Sequence, residues 1–312
     1  MSLNTVGSPP AAFGSGRFFR IGYLPTYVVL LWFLVLIWAG APGDTLSFTA
    51  AWSVASGLGV GELVLISVAI VVVASVLHPM QLSIVQLLEV GPPRWLGSEL
   101  LRQRQLARKR KIEAKAILPQ PPAVPREDQV RAAGLAGSKL RQQYPLPDYL
   151  VRPTAFGNAL TAMEDTAGRM FGLDAVVAWP RLYTLLGESV KTIVDDRRDA
   201  LDGAVRMAVS GAVATVGSTA LLWGATHRWW LLALIPAAVS VASYRGAVQA
   251  ALAYGEAVQV AFDMHRFDLL ASQKLELPAT PSMESAVNRQ LCDLWRQGVP
   301  LAISYGQEKD AP

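Results

Sequence analysis

Four residues near the C-terminal end, Glu256, Asp263, His265 and Asp268 in "EAVQVAFDMHRFD", have the side-chain types of a metal site. Metal ligands must converge on one point. On a helix Glu256 and Asp263 share one face, while His265 and Asp268 share another. The spacing therefore favours a charged helix surface and no metal. Cys292 is the single cysteine, so an internal disulfide and a thiolate cluster are excluded. As a nucleophile it would need His78, His227 or His265 within reach, and spacing supports no such pair. The "DDRRDALD" run, Asp195 to Asp202, reads as a solvated face with i+3 and i+4 charge pairs. No phosphate-binding glycine loop, zinc-protease helix motif or nucleophile elbow is present. Catalytic, cofactor and metal residues are thus expected to be none, and an enzyme is the least favoured class.

The densest charge is basic. "RQRQLARKRKIEAK" carries Arg102, Arg104, Arg108, Lys109, Arg110, Lys111 and Lys115 against Glu113 alone. Arg104, Arg108, Lys111 and Lys115 repeat at helical spacing and make one stripe. The run holds no aromatic residue for base stacking, which disfavours nucleic acid. Anionic lipid headgroups attract juxtamembrane cations by about 1 kcal/mol each. All seven are therefore expected to contact an anionic inner leaflet.

The elements around this run are apolar. Hydrophobic residues make up 52% of the 312 and charged residues 17%, below the ~25% of ordinary soluble domains. Ile21–Ala41 and Leu63–Met80 contain no charge and are long enough to cross a bilayer as helices. Ala204–Ala225 and Trp229–Tyr244 form a second pair around the three-residue turn Thr226–Arg228, and a turn that short implies a hairpin. Both helices are expected to run on beyond the membrane. There Val190, Ile193, Val194 and Leu201 would face Ala250, Ala257, Val260 and Ala261. The small residues Ser210, Gly211, Ala214, Thr215 and Ser218 permit close helix packing, within the chain or between copies.

These readings give an all-α integral membrane protein of four transmembrane helices with a mainly helical cytoplasmic domain. Residues 1–20 read as a disordered tail and 21–80 as the first transmembrane pair. An interfacial and polybasic segment covers 81–118, and a Pro-rich linker 119–153. A cytoplasmic helical region covers 154–203, the transmembrane hairpin 204–245, and a C-terminal helical extension 246–312. Within the helical region Thr154 is expected to cap a helix that Gly172 ends, while "DAVVAWPRLY" fits a strand or a helix start. Arg17 and Arg20 precede the first span, the loop after it lacks Lys and Arg, and the basic run follows the second. The positive-inside rule then places both termini in the cytoplasm.

The segments "RPTAFGNAL…FGLDAVVAWPRLYTLL", Arg152 to Leu186, and "YRGAVQAALAYGEAVQVAFDMHRFDLL", Tyr244 to Leu270, resemble an uncharacterised, mostly actinobacterial family of integral membrane proteins. The resemblance covers the second half of the chain. It implies a bacterial plasma membrane and a packed role for "DAVVAWPRLY", and it carries over no known activity. The expected function is a non-enzymatic membrane anchor or scaffold that recruits a cytoplasmic protein partner. A self-associating, homo-oligomeric pore is the alternative, with a membrane enzyme of unrecognised site behind it.

Overall fold

A computed structural model describes residues 24–77, 86, 88–93, 95, 97–118, 125–225 and 229–301. The described residues are helical, joined by turns, and contain no strand. They divide into two compact units, each treated separately below.

The first unit is built from Leu88–Arg198 and the chain from Ala251 onward. It contains α4 (Ser98–Ala116), α5 (Glu127–Gln143), α6 (Ala155–Thr166), α7 (Ala175–Tyr183) and α10 (Pro281–Gln297). The N-terminal part of α8 (Glu188–Leu221) and the C-terminal part of α9 (Leu234–Ser272) also belong to it. Thr154 caps α6 by accepting from the Gly157 amide at 2.9 Å. Its hydroxyl donates to the Leu88 carbonyl at 2.6 Å. Gly157 follows because the space is filled: a Cβ there would lie 2.1 Å from the Glu89 carbonyl oxygen. Asn158, fully buried, accepts from the Arg152 amide and donates to the carbonyls of Arg152 and Thr154. A buried amide so fully satisfied fixes the turn that leads into α6.

The centre of this unit is apolar and aromatic. Phe156, Leu160, Trp179, Leu182, Tyr254, Val258 and Phe262 are buried. The Trp179 ring packs 5.9 Å from that of Phe262 and 5.8 Å from that of Tyr183, as tilted aromatic pairs do. The chain reverses after α6 through Gly168 and Gly172, both at positive φ. A side chain at Gly172 would strike the Ser285 carbonyl oxygen of α10 at 2.4 Å, so strain and lack of space both demand glycine.

The second unit joins the described residues before Leu88 with Asp199–Ala250. It holds α1 (Leu24–Trp38), α2 (Phe48–Gly57), α3 (Val60–Leu77) and the remaining parts of α8 and α9. Among the described residues two helices, α8 and the helical stretch Trp229–Ser272 that contains α9, are long and apolar enough to cross a membrane. The count rises to three if α2 and α3, bent by 108° at their junction, are taken as one. The end of α1, the 39–46 loop, α2, the end of α8 and the chain before α9 share one apolar cluster. Leu36, Ala39, Ala41, Leu46, Ala51 and Leu222 are its buried members, flanked by Trp38 and Trp229.

Several expectations need correction. The stretch 119–153 is not simply a linker, because α5 occupies Glu127–Gln143. Glu127 and Asp128 in its first turn and Arg141 in its last suit the helix dipole, a signal that the neighbouring prolines obscured. The helix capped by Thr154 ends at Thr166, before Gly172, because Gly168 already turns the chain. "DAVVAWPRLY" is helical, with Asp174 accepting from the Val176 amide as its cap. The 203 and 245 boundaries fall inside continuous helices. Ile193 is 54% exposed. On α9 Ala261 is buried as expected, but its buried companions are Ala251, Tyr254, Val258 and Phe262, and Ala250, Ala257 and Val260 are not buried. The Thr226–Arg228 turn, the 1–20 tail and most of Pro119–Pro125 lie outside the described residues.

Within the second unit, Gly211 is a site of close approach between α8 and α9. A Cβ would stand 3.0 Å from the Ser240 backbone. The Ser240 hydroxyl also donates to the Ala208 carbonyl at 2.7 Å. Gly211→Val is expected to destabilise this pairing by about 1–3 kcal/mol, read as a lower thermal midpoint of the detergent-solubilised chain. An unchanged midpoint would mean that the two helices do not need this approach.

Candidate functional site

The basic helix α4 owes its orientation to one buried cation. Lys109 is 2% exposed, and its ammonium donates to the Leu146 carbonyl and the Asp148 carboxylate, each at 2.7 Å. Glu113 lies 3.8 Å away on the next turn. One turn earlier Gln105 is buried and accepts from the Tyr144 hydroxyl at 3.0 Å. Arg102 reaches the Val151 carbonyl through Nε at 3.2 Å. Arg102, Gln105 and Lys109 thus form the inward side of α4, tied to the chain between Tyr144 and Val151.

The stripe Arg104, Arg108, Lys111 and Lys115 lies roughly a third of a turn away, and all four are exposed. Among the described residues no carboxylate comes within ion-pair distance of any of the four. Arg110 is exposed too, at 3.9 Å from Asp148. The seven cations grouped as lipid contacts therefore separate. Lys109 is removed from that set: it is buried in protein and neutralised there. Arg102 is half-buried and committed to Glu99 and to backbone carbonyls. Sequence spacing could not distinguish Lys109 from its neighbours, since its partner Asp148 lies in a distant turn.

Electrostatics around the anchor follow from these contacts. The hydrogen bond from Lys109, more than any other influence, holds the Asp148 carboxyl below its usual range. Burial pushes the Tyr144 phenol up. Glu89 is also raised by burial, opposed by the charge of Arg152.

The small-residue row sits inside its own unit. Ala214 and Ser218 are buried, and the Trp32 indole donates to the Ser218 hydroxyl at 2.8 Å. Gly211 faces Ser240, and Thr215 donates to the Gly211 carbonyl at 2.7 Å. Gly217, which was not singled out from sequence, is required against Phe33, whose ring would stand 2.4 Å from a Cβ. Ser210 is half-buried.

The other candidates sit in structural settings. His265 Nδ1 meets Asp268 at 2.7 Å, and no group of three metal-ligating side chains forms among the described residues. Cys292 is buried and accepts from the Asp174 amide at 3.2 Å, and burial raises its thiol pKa, which suppresses the thiolate. Asp195 accepts from the Tyr183 hydroxyl at 2.7 Å; burial, then this bond, raises the phenol's pKa.

Asp148→Asn is expected to be more damaging than Lys109→Met. The first leaves the buried ammonium with the Leu146 carbonyl and the more distant Glu113 but no close carboxylate, at about 1.5–3 kcal/mol. The second leaves a half-exposed carboxylate that water solvates, at about 1 kcal/mol. Since the folded-state pKa of Asp148 is lowered, its contribution is present above the ordinary carboxylate pKa. That contribution disappears as pH falls below about 4. Chemical unfolding at pH 7 and pH 3 should show that acid loss shrinking in Asp148→Asn. An equal loss in wild type and variant would contradict this anchor.

No family model, no curated protein and no solved structure matches this chain.

Proposed function

We propose that the chain is a multi-pass protein of a bacterial plasma membrane that anchors a helical, partner-recruiting unit and presents the α4 stripe to anionic inner-leaflet lipids. One observation carries the membrane reading. Along α3 the large apolar side chains are exposed almost without exception, Val60 at 81%, Leu65 at 71% and Val76 at 69%. In water such a helix would be an aggregation site; in lipid it is solvated. Exposed Trp52, Trp223 and Trp230 belong to the same end of the second unit as its apolar cluster. Tryptophan at this position suits a headgroup belt.

A four-span topology accounts for these features. The spans would be α1 with the apolar residues before it, α3, and the apolar parts of α8 and α9. Helix α2, bent sharply from α3 and carrying exposed Trp52, would lie in the outer interface. The shared cluster joins the end of α1 to the end of α8 and to the chain entering α9, as an up-and-down arrangement requires. With Arg17 and Arg20 before the first span and the basic run after the second, both termini are cytoplasmic. A pore by self-association has less support, because Gly211, Ala214 and Ser218 already pack within the unit.

Two outcomes test this. A reporter inserted after Pro122 should be active only in its cytoplasmic form; an exported reporter contradicts the topology. Phosphatidylglycerol, compared with phosphatidylcholine, should raise the thermal midpoint of the full chain. The increment should shrink when Arg104, Arg108, Lys111 and Lys115 become Gln. It should also shrink at high salt, where screening acts over about 3 Å at 1 M. A salt-independent increment, equal in both proteins, would reject the headgroup contact.

A further inference from the structure

The first unit contains a cleft of about 670 Å³, within the usual range of small-molecule sites. Its walls come from the turn before α6, α6 itself, the Arg169–Phe171 turn, the start of α7 and one face of α10. Charged side chains of both signs line it, and most are already matched. Asp165 accepts from Arg169 and from the Leu146 amide, each at 2.8 Å. Asp174 pairs with Arg296, which also lies 4.0 Å from Asp293. Glu164 has a partner of its own.

Three groups are left over, and all can donate. Arg152 and Arg289 have no carboxylate within ion-pair distance among the described residues. Glu89 is near enough to feel the Arg152 charge but forms no ion pair with it. The Arg152 Nε is buried without an acceptor. Arg289 spends Nε on the Ser285 carbonyl at 3.1 Å, and among the described residues its two terminal nitrogens have no acceptor. Thr161 on α6 is 4% exposed, and its hydroxyl has no partner among the described residues. A helical threonine ordinarily donates to the carbonyl four residues back, as Thr166 does to Ala162 at 2.6 Å. Thr161 does not. Buried donors without acceptors are destabilising, and beside guanidinium groups the complementary acceptor is an oxyanion.

We propose that this cleft binds the oxyanion of a small ligand, a phosphate or carboxylate group, through Arg152, Arg289 and Thr161. The test uses the full chain in phosphatidylcholine nanodiscs, titrated calorimetrically with inorganic phosphate and with citrate at constant ionic strength. Wild type should bind one of the two saturably. Arg289→Gln and Thr161→Val should weaken that binding about tenfold, or 1.4 kcal/mol, while Arg131→Gln at an exposed position of α5 should not. Arg289 is exposed, so its replacement should keep the fold, checked by circular dichroism. Weaker apparent binding in phosphatidylglycerol nanodiscs would assign the oxyanion to a lipid headgroup, and unchanged binding to a soluble anion. The proposal is overturned if wild type binds neither anion saturably, or if Arg131→Gln weakens binding as much as Arg289→Gln.

Discussion

A lysine ammonium with almost no access to water sets the orientation of the basic helix. Such a charge is tolerated only with oxygen partners, and Lys109 has the Leu146 carbonyl and the Asp148 carboxylate. Those partners lie in the turn between α5 and α6, so the rotation of α4 about its own axis is fixed by a contact distant in sequence. Once Lys109 points inward, helical geometry turns Arg104, Arg108, Lys111 and Lys115 outward. The exposed stripe and the buried anchor are consequences of one another. A helix carrying seven cations could otherwise turn any face to solvent.

The second unit obeys a different constraint. Its helices bury small residues against one another, with Gly211 on Ser240, Gly217 on Phe33 and Ser218 on Trp32. Close backbone approach and a few hydrogen bonds are the means by which helices associate when apolar burial gives no advantage. Large apolar side chains are left on the outside, most completely on α3. Small residues inside with valine and leucine outside is the reverse of a water-soluble bundle. That reversal links the packing to the proposed lipid environment. The first unit, with Trp179, Phe262 and Tyr254 buried, is packed in the ordinary way.

Periodicity and local caps were legible in the sequence. Thr154 was readable because its cap is a three-residue interaction, and the small-residue row because its spacing is helical. The helical character of α8 and α9 beyond their apolar parts was readable from the absence of breakers. The burial of Lys109 was not, because it depends on Asp148, far along the chain and brought near by the fold. The α9 face was legible only at Ala261, for a related reason. Alanines occupy both candidate rows, and only the large side chains Tyr254 and Phe262 decide between them. Helix α5 was hidden by adjacent prolines and by Gly134 and Gly137, which lower helix propensity. The oxyanion cleft left no sequence signature, since its donors come from α10, α6 and the turn before α6.

The central claim, that the outward stripe of α4 meets anionic lipid, is tested most directly by measuring its distance from headgroups. Spin labels at Arg108→Cys and Lys111→Cys, in a Cys292→Ser background, would be relaxed by nickel chelated to lipid headgroups in phosphatidylglycerol nanodiscs. A label at Val130→Cys on α5 serves as the comparison. The account predicts strong relaxation at both α4 positions and weaker relaxation at Val130. Relaxation no stronger on α4 than at Val130 would contradict it.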